Sequence, residues 1–132
     1  IAERGLQKVA TFDEVNAYER ANYQNLSPRP TLGIVSGLHE LFPDNDLILQ
    51  SLYGFGDAIE PGGYLIYTGQ PWHPQLEMIA RCLSSHREGQ DWVMRRRSQQ
   101  EMDQLVEKAG FEKVRQWIDG DGIFTVSLAV KK

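Results

Sequence analysis

Hydrophobic and polar positions change period several times along this chain, and each change predicts an element. Lys8 to Phe12 (KVATF) has the length and composition of a short strand. Val15 to Leu26 is mixed and polar, with room for a helical turn or two. It runs into Ser27-Pro28-Arg29-Pro30, where two close prolines favour an extended connection. Thr31 to Ser36 (TLGIVS) is an apolar run of strand length with little alternation. That pattern predicts burial on both faces, as in a parallel sheet. Pro43-Asp44-Asn45-Asp46 opens a helix, because its side chains can accept from free backbone N–H groups. Ile48, Leu52, Phe55 and Ile59 then recur at helical spacing, until Pro61-Gly62-Gly63 stops the helix. Tyr64 to Thr68 is the next strand, after which the chain turns polar at Gly69, Gln70, Pro71, Trp72 and His73.

Pro74 opens a second helix, with Leu76, Ile79, Ala80 and Leu83 on one face. A polar stretch follows from Ser84 to Gln90, with His86 expected in a surface loop. Then come Trp92-Val93-Met94 and the basic run Arg95-Arg96-Arg97. Ser98 and Glu101 have the spacing of a capping box, and Met102, Leu105, Val106 and Ala109 form the stripe behind it. Gly110 is the expected left-handed stop, with Phe111 packing back on the last turn. Val114 to Ile118 and Ile123 to Val130 are the last two strands, joined by the hairpin signal Asp119-Gly120-Asp121-Gly122. Strands alternating with helices predict an α/β fold whose sheet is mostly parallel, with an antiparallel C-terminal hairpin strand.

The length of 132 residues suits one domain, and 41% hydrophobic with 24% charged residues is an ordinary globular balance. A net charge of −4 argues against a general nucleic-acid binder, which needs a basic surface. The single cysteine, Cys82, excludes an internal disulfide and a cysteine metal cluster. On the helix stripe edge it is expected to be a small buried hydrophobe. One thiol suits a reducing cytoplasm. No run approaches the ~20 apolar residues of a membrane span, and the first residues lack signal-peptide form. The chain starts without Met, which predicts a piece of a longer protein.

In an open α/β sheet, ligands sit beyond the carboxyl ends of the strands. Gly37 to Glu40 and Gln70 to His73 both leave strands at that edge and can converge on one crevice. GIVSGLHELF, EPGGYLIYTG and SQQEMDQLVEKAGF, followed by two closing strands, resemble in order the later half of a class I S-adenosylmethionine-dependent methyltransferase. Upstream, VATFDEVNAYE resembles that family's third strand and the dipeptide after it, with Asn16-Ala17 in the dipeptide position. More narrowly, GLHELFPDN and TGQPWHPQLEMIAR are similar to a bacterial methyltransferase group, some members of which are fused to an α/β-hydrolase domain. The resemblance covers nearly the whole chain and implies a partial Rossmann-like methyltransferase sheet. The family's glycine-rich turn and its ribose-binding acid would lie before residue 1. Residues 1–132 are therefore expected to be one domain, the C-terminal portion of a methyltransferase, with 1–30 loosely ordered, re-packed or paired with another chain.

That resemblance implies S-adenosylmethionine as cofactor and methyl transfer to a small or lipid-like acceptor. Asn16, Ala17, Ser36, Gly37, Leu38 and His39 would contact the cofactor. Gln70, Trp72 and His73 would line the acceptor pocket. His39 and Glu40 would act as general base or orient the acceptor. Each has a plainer reading beside it: a turn Asn, a strand-to-loop turn, a structural His, a Trp lid and an N-cap His. The arginine run reads first as a solvated face before a helix. The alternatives are a non-catalytic α/β interaction or assembly domain, and another doubly wound nucleotide-binding module. An uncovered strand edge at Thr31 to Ser36 makes self-association an expectation for the chain.

Overall fold

The computed structural model describes residues 1–84 and 95–132. The expectations for residues 85–94, including His86 and Trp92-Val93-Met94, lie outside the described residues. The described elements run β1 (Leu32–Val35), α1 (Asn45–Ala58), β2 (Tyr64–Gly69), α2 (Leu76–Cys82), α3 (Gln99–Lys108), β3 (Phe111–Ile118) and β4 (Thr125–Lys131). Short 3₁₀ turns lie at Ala2–Arg4, Arg20–Tyr23 and His39–Leu41.

The four strands form one sheet in the order β1-β2-β4-β3. β1 and β2 are parallel, while β4 runs antiparallel to both β2 and β3. Three strands thus point one way, and the last strand of the hairpin is inserted between β2 and β3. The predicted α/β sheet with one antiparallel hairpin strand is what forms.

α1 and α3 cover one face of this sheet. Val35, Leu65, Tyr67, Phe111 and Ala129 meet Ile48, Leu52, Ile59, Met102, Leu105, Val106 and Ala109 in a single core. Burying each large apolar side chain contributes roughly 1.5–3 kcal/mol. Gly33 permits the close approach of α1 to β1. A Cβ there would meet the Phe55 ring at 2.7 Å and the Ile59 side chain at 2.8 Å.

The opposite face is bare. Leu32, Ile34, Tyr64, Trp117 and Val126 are all exposed on it. The expectation that TLGIVS is buried on both faces is thereby corrected: β1 alternates, with Gly33 and Val35 in and Leu32 and Ile34 out. The described residues supply helices to one side of the sheet only.

Local chemistry sets the element ends. The Asp44 carboxylate caps α1 by accepting from the Asp46 N–H at 2.8 Å. Ser98 caps α3 by accepting from the Glu101 N–H at 3.1 Å. The second half of the expected capping box does not close, because the Glu101 carboxylate is drawn to the Asn45 amide and to Arg95. Gly110 takes φ 90°, as its stop position requires. Asp119 closes the hairpin by accepting from the N–H groups of Ile123 and Phe124.

Two expectations about packing are corrected. Lys8 to Phe12 is turn and irregular chain, with Val9 81% and Phe12 78% exposed; no strand edge receives it. α2 buries none of its residues, and Cys82 is exposed. No described layer packs over that helix, so its apolar spacing has nothing to face.

Residues 16–30 pack on α1. The Tyr23 ring lies over Gly54 and 5.1 Å from the Phe55 ring. Arg20 pairs with Asp57 at 2.8 Å. Arg29 donates to the carbonyls of Asp57, Ala58 and Ile59, satisfying the end of α1. No described helix is long and apolar enough to cross a membrane.

Candidate functional site

The carboxyl ends of β1 and β2 open on a pocket of about 130 Å³, lined by Ser36, Gly37, Glu40, Thr68, Gln70 and Phe124. Parallel pairing of β1 with β2 is what brings the two loops side by side. Gly37 takes φ 66°, which turns the chain sharply out of β1, and the space beside its Cα is open. Its N–H donates to the Thr68 hydroxyl at 2.9 Å. That hydroxyl donates in turn to Glu40 Oε1 at 3.3 Å. One relay therefore locks the β1 loop, the end of β2 and a carboxylate together.

Glu40 Oε2 is buried and has no hydrogen-bond partner among the described residues. Burial, the largest influence, pushes the Glu40 carboxyl above the usual glutamate range; the Thr68 bond and the charges of Arg97 and Arg96 act the other way. Its Oε1 is held by Thr68 while its Oε2 is left unpaired in the interior.

His39 is different. It is only 3% exposed, and its Nε2 lies 3.2 Å from the Ser51 hydroxyl of α1. Burial and the neighbouring Arg97 charge push its pKa down to about 4. It is neutral at physiological pH, faces the core on its Nε2 side, and is a poor base. His39 and Glu40 line a small adjoining cavity together with Thr68 and Gln70, and Glu40 alone of the two also lines the larger pocket.

Asn16 and Ala17 do not line the pocket. Asn16 Oδ1 accepts from the Tyr18 N–H at 3.0 Å, and the Ala17 carbonyl accepts from Tyr23 Oη at 2.7 Å. Tyr18 Oη donates to the Leu38 carbonyl at 2.9 Å. Through Tyr18, the Asn16-Ala17 segment is tied to the back of the Ser36–His39 loop. Gln70 does line the pocket and is 8% exposed. Trp72 is 56% exposed and outside it, and His73 Nδ1 accepts from the Gln75 N–H in a local turn.

Thr68 and Phe124 were not singled out by sequence. Neither was the role of the arginine run. Arg95 donates to the Pro43 carbonyl at 2.9 Å and pairs with Glu101. Arg96 binds the Gln70 side-chain carbonyl. Arg97, 7% exposed, donates to the carbonyls of His39 and Phe42 and to Asn45 Oδ1 at 2.8–2.9 Å. The solvated face expected for these residues is corrected. A signal was present in the sequence: cations just before a helix N-terminus oppose its dipole, so three of them need specific acceptors.

Among the described residues no three His, Cys, Asp or Glu side chains come together in a way that could hold a metal ion. Ser36, Gly37 and Leu38 can flank an elongated cofactor on one side, because the Gly37 turn leaves open space beyond the strand end.

Comparisons with known proteins fit this geometry. A family model described as "Putative methyltransferase" matches residues 1–131. Uncharacterized protein YnbC of Escherichia coli (strain K12) is 59% identical over all 132 residues, which are 23% of its length. This chain therefore spans about a quarter of that relative. Among solved structures, a possible exported protein from Bordetella parapertussis superposes with a TM-score of 0.74 at 21% identity, covering 98% of this chain and 47% of that one. A SAM-dependent methyltransferase from Methanosarcina mazei superposes with a TM-score of 0.67 at 18% identity, covering 92% and 67%.

Proposed function

The chain belongs to that methyltransferase family and has the class I S-adenosylmethionine methyltransferase fold, and from that premise we propose that it is the C-terminal part of a domain transferring a methyl group to a small or lipid-like acceptor. The observation that carries the reading is the pocket beyond β1 and β2, which Glu40 lines and behind which its unpaired Oε2 lies buried. Ser36, Gly37, Leu38 and the His39 backbone flank the cofactor, with Asn16 and Ala17 behind them. The bound cofactor supplies an electrophilic methyl on a sulfonium sulfur. What this chain adds is position and a proton acceptor. With the methyl group supplied by the cofactor, Glu40 would take the acceptor's proton at Oε2. Thr68 holds the other oxygen still. Gln70 and Phe124 form the acceptor wall, and Trp72 and His73 contact larger acceptors outside the pocket.

On this reading a glycine-rich cofactor loop is supplied from outside residues 1–132, by strands that pair with the edge of β1 left open among the described strands. The bare sheet face and that unpaired edge support this. The same edge is where two copies of the isolated chain would associate.

Calorimetry with S-adenosylmethionine tests the reading, on this chain and on the parent protein extended upstream. Binding by the longer chain alone is expected. Binding by neither would sink methyl transfer, and binding by this chain alone would sink the account of the missing loop.

A further inference from the structure

Three consecutive arginines hold three different pieces of the pocket's frame. Arg97 is buried and planar, and its fork reaches three acceptors at once: the His39 carbonyl at 2.8 Å, the Phe42 carbonyl at 2.9 Å and Asn45 Oδ1 at 2.8 Å. Those carbonyls bracket the 3₁₀ turn His39–Leu41, whose middle residue is Glu40. Arg96 reaches across to the opposite wall and binds Gln70 through both its side-chain and backbone carbonyls. Arg95 anchors the run to the Pro43 carbonyl and Glu101.

None of this is needed to fill the core. A buried guanidinium costs desolvation, and an aliphatic side chain would pack as well. Arg97 remains worthwhile because five fixed donors can satisfy carbonyls that a short turn leaves unpaired. The consequence is geometric. Glu40 can keep one oxygen on Thr68 and the other free only while its turn is held.

We infer that Arg97 and Arg96 are positioning residues of this pocket, Arg97 acting through Glu40 and Arg96 through Gln70. The inference rests on the methyl-transfer reading for what the pocket does, and on the hydrogen bonds alone for how it is held. The charged side chains acting on Glu40 are Arg97 and Arg96; β2 contributes the neutral Thr68 hydroxyl, and the adjacent His39 is uncharged at neutral pH.

The test needs no acceptor. Glu40 is followed by carboxyl ¹³C NMR during a pH titration of the 132-residue chain, in the wild type, in Arg97→Lys and in Arg95→Lys. Lysine keeps the charge but cannot span three acceptors, so the turn loosens and Glu40 meets water. Its midpoint is then expected to fall toward the ordinary glutamate value in Arg97→Lys and to stay put in Arg95→Lys. A role confined to stability would lower the melting temperature of Arg97→Lys and leave the Glu40 midpoint unmoved; that result overturns the inference. If Arg97→Lys does not fold, Asn45→Ala removes one of the three acceptors, and a smaller shift in the same direction is expected. No shift there overturns it equally. Arg96→Lys should move the Gln70 side-chain amide resonances, and unchanged resonances would remove Arg96 from the proposal. Calorimetry with S-adenosylmethionine is independent, so failure of the methyl-transfer reading would show there and not here.

Discussion

Acidification should unfold this chain through His39, and the size of the effect follows from the structure. Burial and Arg97 lower the His39 pKa from 6.5 to about 4. An unfolded chain therefore binds a proton at this position over a pH range in which the folded chain does not. Stability contributed here is complete above pH 6.5 and is lost as pH falls toward 4. At about 1.4 kcal/mol per pH unit, the total comes to about 3 kcal/mol. That is a large share of the 5–15 kcal/mol typical of a domain. Other groups titrate nearby. Arg20 holds the Asp57 carboxyl low, so its stabilisation is also lost in acid. Glu40 works in the opposite sense, because its raised pKa lets the folded chain bind a proton first. The clean measurement is a difference. Urea unfolding of wild type and His39→Gln would be compared at half-unit pH steps between 7 and 4. The stability gap should narrow, or change sign in favour of glutamine, by about 3 kcal/mol across that window. A gap independent of pH would refute the assignment of His39 as a buried neutral imidazole.

Glu40→Gln keeps an oxygen for Thr68 and removes the buried charge. It should raise the melting temperature at pH 7 while abolishing methyl transfer by the parent protein. A variant that is fully active would remove Glu40 from the chemistry. Gly54→Ala places a Cβ 2.3 Å from the Tyr23 ring. Overpacking should cost about 1–3 kcal/mol, offset by about 1 kcal/mol of helix propensity; thermal melts would read the net loss, and loss of the Tyr23 contacts would show in its ring resonances. Ser98→Ala removes the α3 cap and should cost about 1 kcal/mol in a denaturant melt, with β1 unaffected.

Much of the scaffold was legible because its signals are local. Asp44, Ser98, Gly110 and the Asp119–Gly122 hairpin act within a few residues, and each acts as its pattern predicts. The stripe Ile48, Leu52 and Ile59 was legible because α1 meets a sheet. The stripe on α2 has the same spacing and faces nothing, so periodicity alone could not tell the two apart. Lys8 to Phe12 has strand composition, but pairing is decided by a neighbour that local sequence cannot supply. At the site, the position of the pocket followed from strand direction. Its lining did not: His39 and Glu40 are adjacent in sequence, and only tertiary packing buries His39 against Ser51 while Glu40 also reaches the larger pocket. The arginine run was misread because its acceptors, Pro43, His39, Phe42 and Gln70, lie 26 to 58 residues away.

Of the four described strands, the last in sequence is an inner one. β3 hydrogen-bonds only to β4, and β2 has β1 on one side and β4 on the other. Until Thr125–Lys131 leaves the ribosome, β3 has no partner and the sheet is two disconnected parts. The contact that joins them closes a loop from Thr125–Lys131 back to Tyr64–Gly69, spanning roughly half of residues 1–132 at its longest. Helices α1 and α3 can form early, but the face they cover is assembled in one late step. The seven residues of β4 therefore act as a keystone for the sheet of this span.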